Sequence, residues 1–495
     1  MAFSIEQYPV NSADNVPVIT NWTPMIGYVL YQDDISSYFF YRLVCTIEQV
    51  DSAGVVLKSL GVLKQRRNGY SPDVVNQRAR AFFDLSGIIN SQLVDTVYDQ
   101  NDSGIPFRTL HKLGANKNDK IFSYNGDTSQ GFLQIISIKM TGSEWYSDSA
   151  TGIPSSQGAT ANDTQIWMGA SLPLMTERDD DGDYIQGTAF QSYRSSGLFE
   201  KMLSDVPAQP NIYYDSIINI LVNFVREDDY HTVGFLNDNT NFGSNVDYIK
   251  ITYYLDDGTN DSVYIENNTT NGGMASTDGD LEDTNRLLYF GCGPGNLEGA
   301  SNVDSYESIG GVATTGGAQP SNFSGWTSYK IQPYTDGDAP ISLPYYFIRK
   351  GDSCKGFKIR RLAFVNSLGC WDYFNFTKKS TQTIDITRNN YSSVLGTFNK
   401  STWRYDNTQR GKTTRRTSAI LKETLQTDWI AEELSPFIEK LIYSKNVQIV
   451  ENKDTEFTEG VIVTDSSFVR KTKANDKLIQ YTINIEYANP INTNS

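Results

Sequence analysis

The chain has 495 residues, long enough to bury a hydrophobic core without disulfide staples, with 39% apolar and 20% charged residues and a formal net charge of -16. That acidic balance counts against a protein whose purpose is to grip nucleic acid, because phosphate recognition draws on clustered Lys and Arg. Thirty Tyr and 24 Phe stand among abundant Asn, Asp, Ser, Thr and Gly, a composition suited to strands and turns rather than helices.

Four cysteines (Cys45, Cys292, Cys354, Cys370) form no C-x-x-C pair, and with only His111 and His231 beside them no Cys/His zinc site is expected. Cys354 and Cys370 could face each other across a hairpin, but a reduced cytosolic pair is the expectation. The start, MAFSIEQYPVNS, has neither the basic residues nor the apolar run of a secretory leader. No stretch reaches the roughly 18 consecutive apolar residues of a membrane helix. Folding in a cytoplasm, without membrane insertion, is therefore expected.

In chain order, "SYFFYRLVCTIEQV" (37–50) and "VVLKSLGVLKQ" (55–65) are strand-like runs separated by Asp51-Ser-Ala-Gly54, a β-hairpin signature. In "FFDLSGIINSQLVDTV" Ser86 is placed to cap a short helix carrying Ile89, Leu93 and Val97 at intervals of four. A strand, "FLQIISIKMTG", starts at Phe132. From 143 to 210 the apolar pattern fades, which predicts long polar loops. Residues 1–207 thus read as an antiparallel β-sandwich with a helix packed across one end.

A second sandwich is expected over 208–400. "SIINILVNFV" is too short for its period to separate buried strand from buried helix, whereas "VDYIKITYYLDDGTNDSVYIEN" is a hairpin turning at Asp257-Gly258. Residues 291–326 have the Gly and Ser density of an inserted linker. In "KGFKIRR" Phe357 and Ile359 alternate with Lys358 and Arg360; at Arg361-Leu362 the alternation slips, which a β-bulge would explain. Next comes "FVNSLGCWDYFNF" (364–376), five aromatics in thirteen residues. Asn366-Ser-Leu-Gly369 makes a turn, and the return strand carries Trp371 and Tyr373 on one face, Phe374 and Phe376 on the other. A strand apolar on both faces sits inside a sandwich or faces a partner chain. Under the second alternative, Trp371 and Tyr373 are subunit-contact residues. A stacking platform for bases is disfavoured, since such platforms need a basic groove.

Residues 401–495 read as a small α+β domain. "RYDNTQRGKTTRRTSAILKE" concentrates Arg404, Arg410, Lys412, Arg415 and Arg416 in an otherwise acidic chain, and Arg415 and Arg416 are candidate subunit contacts. Thr427 and Ser435, the latter followed by Pro436, are placed to cap short helices. "NVQIVEN", "EGVIVTD" and "DKLIQYTINIEYA" are strands, with Ile479, Tyr481, Ile483 and Ile485 alternating against solvent.

Catalytic patterns are scarce. "RGKTT" (410–414) resembles the end of a phosphate loop, but Asp406 stands where its first glycine belongs. No G-x-S-x-G elbow occurs, and neither histidine has an obvious nucleophile beside it. The acidic run "ERDDDGDYIQGT" places Glu177, Asp179, Asp181 and Gly182 at the first positions of a calcium loop and includes Asp183, but Thr188 replaces the closing Glu. It is expected to be an acidic surface turn, so no enzyme activity, cofactor or metal is assigned.

Three segments, "FFDLSGII" (82–89), "FVNSLGCWDYFNF" and "KLIQYTINIEYANPI" (477–491), together resemble virion proteins encoded in the tail modules of tailed phages of Bacteroidota, including crAss-like phages. The resemblance implies a mainly β, non-enzymatic tail ring, hub or baseplate component. It implies a homo-oligomer that contacts other virion tail proteins, is located in the virion after assembly in the host cytoplasm, and recognises no nucleic-acid sequence. It transfers no site residue. Two alternatives stay open: a carbohydrate-binding or receptor-binding adhesin with exposed aromatics, and a glycosidase with paired carboxylates.

Overall fold

The computed structural model of the chain describes residues 3–8, 18–21, 27–32, 35, 37–51, 54–66, 79–93, 110–113, 121–124, 135–171, 202–207, 220–226, 229–237, 246–267, 287–297, 326–335, 337–350, 357–405, 408, 411–450, 458–471, 478–489 and 491. The protein is mainly β, built from several antiparallel sheets. It divides into two compact units, Met1–Gly351 with Val365–Asp372, and Asp352–Phe364 with Tyr373–Ser495. Neither expected boundary falls between these units. Ile121–Tyr124 pairs with Leu287–Gly291 across residue 207, and Thr381–Ser392 pairs with Lys412–Gln426 across residue 400, so a cut at either place would split a sheet.

In the first unit a five-stranded sheet (Val18–Asn21, Ser155–Ser171, Ile135–Ser147, Phe39–Val50, Val56–Arg66 in spatial order) and a three-stranded sheet (Ser4–Gln7, Gly27–Gln32, Ala79–Asp84) share one core. Tyr28, Leu30 and Phe83 of the smaller sheet pack with Leu43, Ile47, Ile138, Met140 and Trp167 of the larger. The sheets approach so closely at Gly142 that a Cβ there would lie 2.8 Å from the Leu30 side chain. The expected hairpin turns at Gly54, φ +81°, a conformation that costs glycine little. Ser86 opens the short helix Ser86–Asn90 but does not cap it; instead, its backbone N–H and its hydroxyl donate to the Asp84 carboxylate.

The polar stretch after 143 contains a 17-residue strand, Ser155–Ser171, paired along most of its length with Ile135–Ser147. Many of its described side chains are solvated, so apolar alternation is missing although backbone pairing runs along most of the strand, with one irregularity between Ser143 and Trp145. Within "SIINILVNFV", Leu221–Val225 is a strand, parallel to Tyr345–Arg349 in a second five-stranded sheet. The hairpin Tyr248–Leu255 and Asn260–Glu266 turns at Gly258, φ +83°, as expected. At the start of the Gly/Ser-rich stretch, Pro294–Leu297 is a buried helical turn, and Asn296 receives the His231 N–H (2.7 Å) while donating to the His111 and Leu113 carbonyls.

In the second unit, seven strands run in the order Trp371–Phe376, Arg360–Val365, Val447–Val450, Thr458–Val463, Thr482–Tyr487, Lys412–Gln426, Thr381–Ser392. Arg360 and Glu423 lie four strand spacings apart, about 19 Å across a flat sheet. Their side chains nevertheless meet at 2.9 Å, so the sheet is rolled. The helix Ser435–Ile442 buries Phe437, Ile438 and Leu441, and Phe437 meets Phe364 edge-on. It has no side-chain cap. The Ser435 hydroxyl is hydrogen-bonded to the Tyr481 hydroxyl (2.6 Å), and the buried Thr427 hydroxyl accepts the Tyr481 N–H. Every residue of Arg360–Val365 is buried, so the slipped alternation reflects two covered faces; its three pairs with Val447–Val450 run in unbroken register, and Phe357 is exposed.

Candidate functional site: an exposed basic β-arm

The aromatic motif is core. Asn366 and Gly369 form the expected turn, with Gly369 at φ +81° and the Asn366 side-chain oxygen accepting the Leu368 and Cys370 N–H groups. Within the first unit, Asp372 accepts from the Ser204 hydroxyl (2.6 Å), the Asp205 N–H (2.7 Å) and the Asn366 amide (3.0 Å). Asp205 in turn accepts from the Ser367 hydroxyl and N–H. Burial, and then the charge of Asp205, push the Asp372 carboxyl up to about 7 against the pull of these donors. Trp371 meets His111 edge-on, and Cys370 fits against Gly234, where a Cβ would lie 2.5 Å from the sulfur.

Trp371 and Tyr373 therefore cannot be the exposed subunit contacts expected of them. Both are buried within the chain itself, and in the second unit the Arg361 guanidinium covers the Tyr373 ring. Phe376 is also buried; of the four aromatics on that strand, Phe374 alone is only partly covered.

Arg415 and Arg416 are exposed, and both lie on a long β-arm of the second unit. Its strands, Thr381–Ser392 and Lys412–Gln426, pair antiparallel over twelve residues. Asn389 stands opposite Arg416 and Asn390 opposite Thr414, so Arg415 is the extra residue of a β-bulge, a device that bends a strand and re-aims its side chains. All twelve residues of Thr381–Ser392 are exposed, at the edge of the sheet.

The arm is fixed at its base. Glu423 accepts the Arg360 Nε–H, shared between its two carboxylate oxygens (2.9 and 3.1 Å), and one bond each from the Tyr487 hydroxyl (2.7 Å) and the Gln382 amide (3.2 Å). Burial alone would raise the Glu423 carboxyl, but bonds from Arg360, Tyr487, Ser380 and Gln382 hold it below its ordinary value. Beyond this clamp, Ile384 opposite Leu421 and Ile386 opposite Ala419 continue the face of the Gln382–Glu423 pair, and the two isoleucines are 52% and 51% exposed.

The tip has its own order. Thr397–Asn399 and Thr402–Arg404 form a small hairpin in which the Phe398 and Trp403 rings meet edge-on, 5.0 Å apart. The Trp403 indole N–H donates to the Leu395 carbonyl (3.1 Å). Gly396 is at φ +104° with no room for a Cβ beneath Trp403. Phe398 and Tyr405 are 68% and 69% exposed, with Lys400 and Arg404 exposed beside them. Side chains held in place yet open to water can bind without a large ordering cost, and Trp, Tyr and Arg are the residues that dominate interface energies.

Among the described residues, no group of three or more His, Cys, Asp or Glu side chains is placed to hold a metal ion, and the acidic run 177–188 lies outside those residues. His111 and His231 are buried in aromatic surroundings. Cys45, Cys292 and Cys370 are buried thiols, burial pushing that of Cys45 up to about 12, while Cys354 lies outside the described residues. No described helix is long and apolar enough to cross a membrane. No protein-family model matches the chain, and no curated protein matches it.

Proposed function

We propose that this protein is a non-enzymatic structural subunit of a phage virion tail, forming a homo-oligomeric ring or hub and contacting other tail proteins. The observation that carries the reading is the arm formed by Thr381–Ser392 and Lys412–Gln426 with the hairpin Thr397–Asn399 and Thr402–Arg404 at its tip, which leaves Ile384, Ile386, Phe398 and Trp403 in water. A row of open backbone groups along a twelve-residue edge strand invites pairing with another chain. The tail assignment rests on the three quoted segments and their resemblance to tail-module virion proteins. Two successive β-sandwich regions followed by a small α+β region would suit such a part, with the arm built from strands on both sides of residue 400.

Electron microscopy of the purified full-length chain tests the proposal: closed rings or discrete multimers are expected, and a field of single particles of monomer size counts against it. The exposed rings of Phe398, Trp403 and Tyr405 also suit a sugar-binding adhesin. Glycan-array binding by a monomeric chain, abolished in Trp403→Ala, would favour that second reading.

A further inference from the structure

We propose that the arm seats on the acidic first unit of a second copy of this chain, so that copies associate head to tail. This deepens the homo-oligomer reading and rests on it. Charge is divided unevenly along the sequence. Met1–Gly351 with Val365–Asp372 carries 21 Lys and Arg against 43 Asp and Glu, a net -22; Asp352–Phe364 with Tyr373–Ser495 carries 21 against 15, a net +6. Residues 381–426 hold eight of those cations and three of those carboxylates, so +5 of the +6 belongs to the arm.

One exposed ion pair contributes little, but the summed field of an acidic unit attracts and orients a basic arm from a distance. The tip then supplies what charge alone lacks, aromatic anchors Phe398, Trp403 and Tyr405 ringed by Lys400 and Arg404. A second arm is a poor occupant, since both arms are basic. A nucleic acid is the other polyanion a basic, aromatic tip attracts, but the acidic unit travels with the arm and repels it. Each copy offers one arm and one acidic unit, two different surfaces. Contacts between unlike surfaces build rings when the rotation closes and filaments when it does not.

The test is sedimentation of the full-length chain at about 50 mM and about 500 mM salt, where screening lengths differ several-fold. Wild type is compared with Arg415→Glu/Arg416→Glu and with Phe398→Ser/Trp403→Ser, each checked for an unchanged thermal melt. Wild type is expected to associate, with affinity falling on the order of tenfold or more at the higher salt. Both variants are expected to lose self-association at low salt. Each variant, mixed with tagged wild type, should still be captured, because its acidic unit remains available to an intact arm. Association that ignores salt and both pairs of substitutions overturns the arm contact and leaves the structural-subunit reading standing. A wild type that stays monomeric overturns both. Failure of wild type to capture the variants refutes the head-to-tail arrangement. Binding of a single-stranded oligonucleotide that requires Arg415 and Arg416, without self-association, replaces the second copy with nucleic acid.

Discussion

Glu423 and Arg360 form a buried ion pair at the root of the arm, the Arg360 Nε–H shared between both carboxylate oxygens. Removing one partner strands the other charge without water, so Glu423→Ala should cost about 3–5 kcal/mol. Replacing both by apolar residues, Arg360→Met with Glu423→Leu, should cost much less than that single change. Urea denaturation of the two variants checks the ordering. Asp372 poses the opposite electrostatic case. Its folded carboxyl is raised to about 7 from an ordinary 3.8, so the folded protein holds a proton that the unfolded chain has released. The associated stability is fully present below pH about 4 and is lost as pH rises through about 7. Between pH 5 and pH 8 the wild-type urea midpoint should fall, and in Asp372→Asn that fall should be smaller. An identical fall in both would show that Asp372 does not carry it. At this scale the sequence was partly legible: the turn at Asn366 and Gly369 follows from its residues, whereas the burial of Trp371 and Tyr373 depends on partners such as His111, distant in the sequence.

At the scale of elements, hairpins with one apolar face announced themselves. Residues 39–66 and 248–266 combine alternation with a glycine at positive φ, and both fold as read. The long strands Ser155–Ser171 and Thr381–Ser392 gave no such signal, because much of each is solvated and periodicity reports burial rather than backbone pairing. What was visible in the arm was chemistry: β-favouring Thr, Ile and Tyr in "TQTIDITRNNY", then a basic run in an acidic chain. The helix caps failed as expectations because Ser86 and Ser435 direct their hydroxyls to Asp84 and Tyr481 rather than to their helices, while the Thr427 hydroxyl accepts the Tyr481 N–H and the short strand Ile430–Ala431 follows it in place of the expected helix. Ile384 and Ile386 can be tested directly. Ile384→Lys/Ile386→Lys places charge on an exposed edge, the natural means of preventing strand addition. Stability should change by no more than about 0.5 kcal/mol, as for other surface positions. Self-association should fall in gel filtration; an unchanged elution volume would show that this edge touches nothing.

For the whole molecule, composition pointed to the mainly β character, but the division into parts was not readable in composition or charge. Pairing partners such as Ile121–Tyr124 and Leu287–Gly291 are more than 150 residues apart, and nothing local specifies that they meet. A head-to-tail subunit of this kind does not remain alone in solution. Native mass spectrometry of the full-length protein at micromolar concentration and low salt measures this most directly. A dominant species at an integral multiple of the 55.5 kDa chain mass is expected. A single species at the chain mass itself, persisting as concentration is raised, would contradict it.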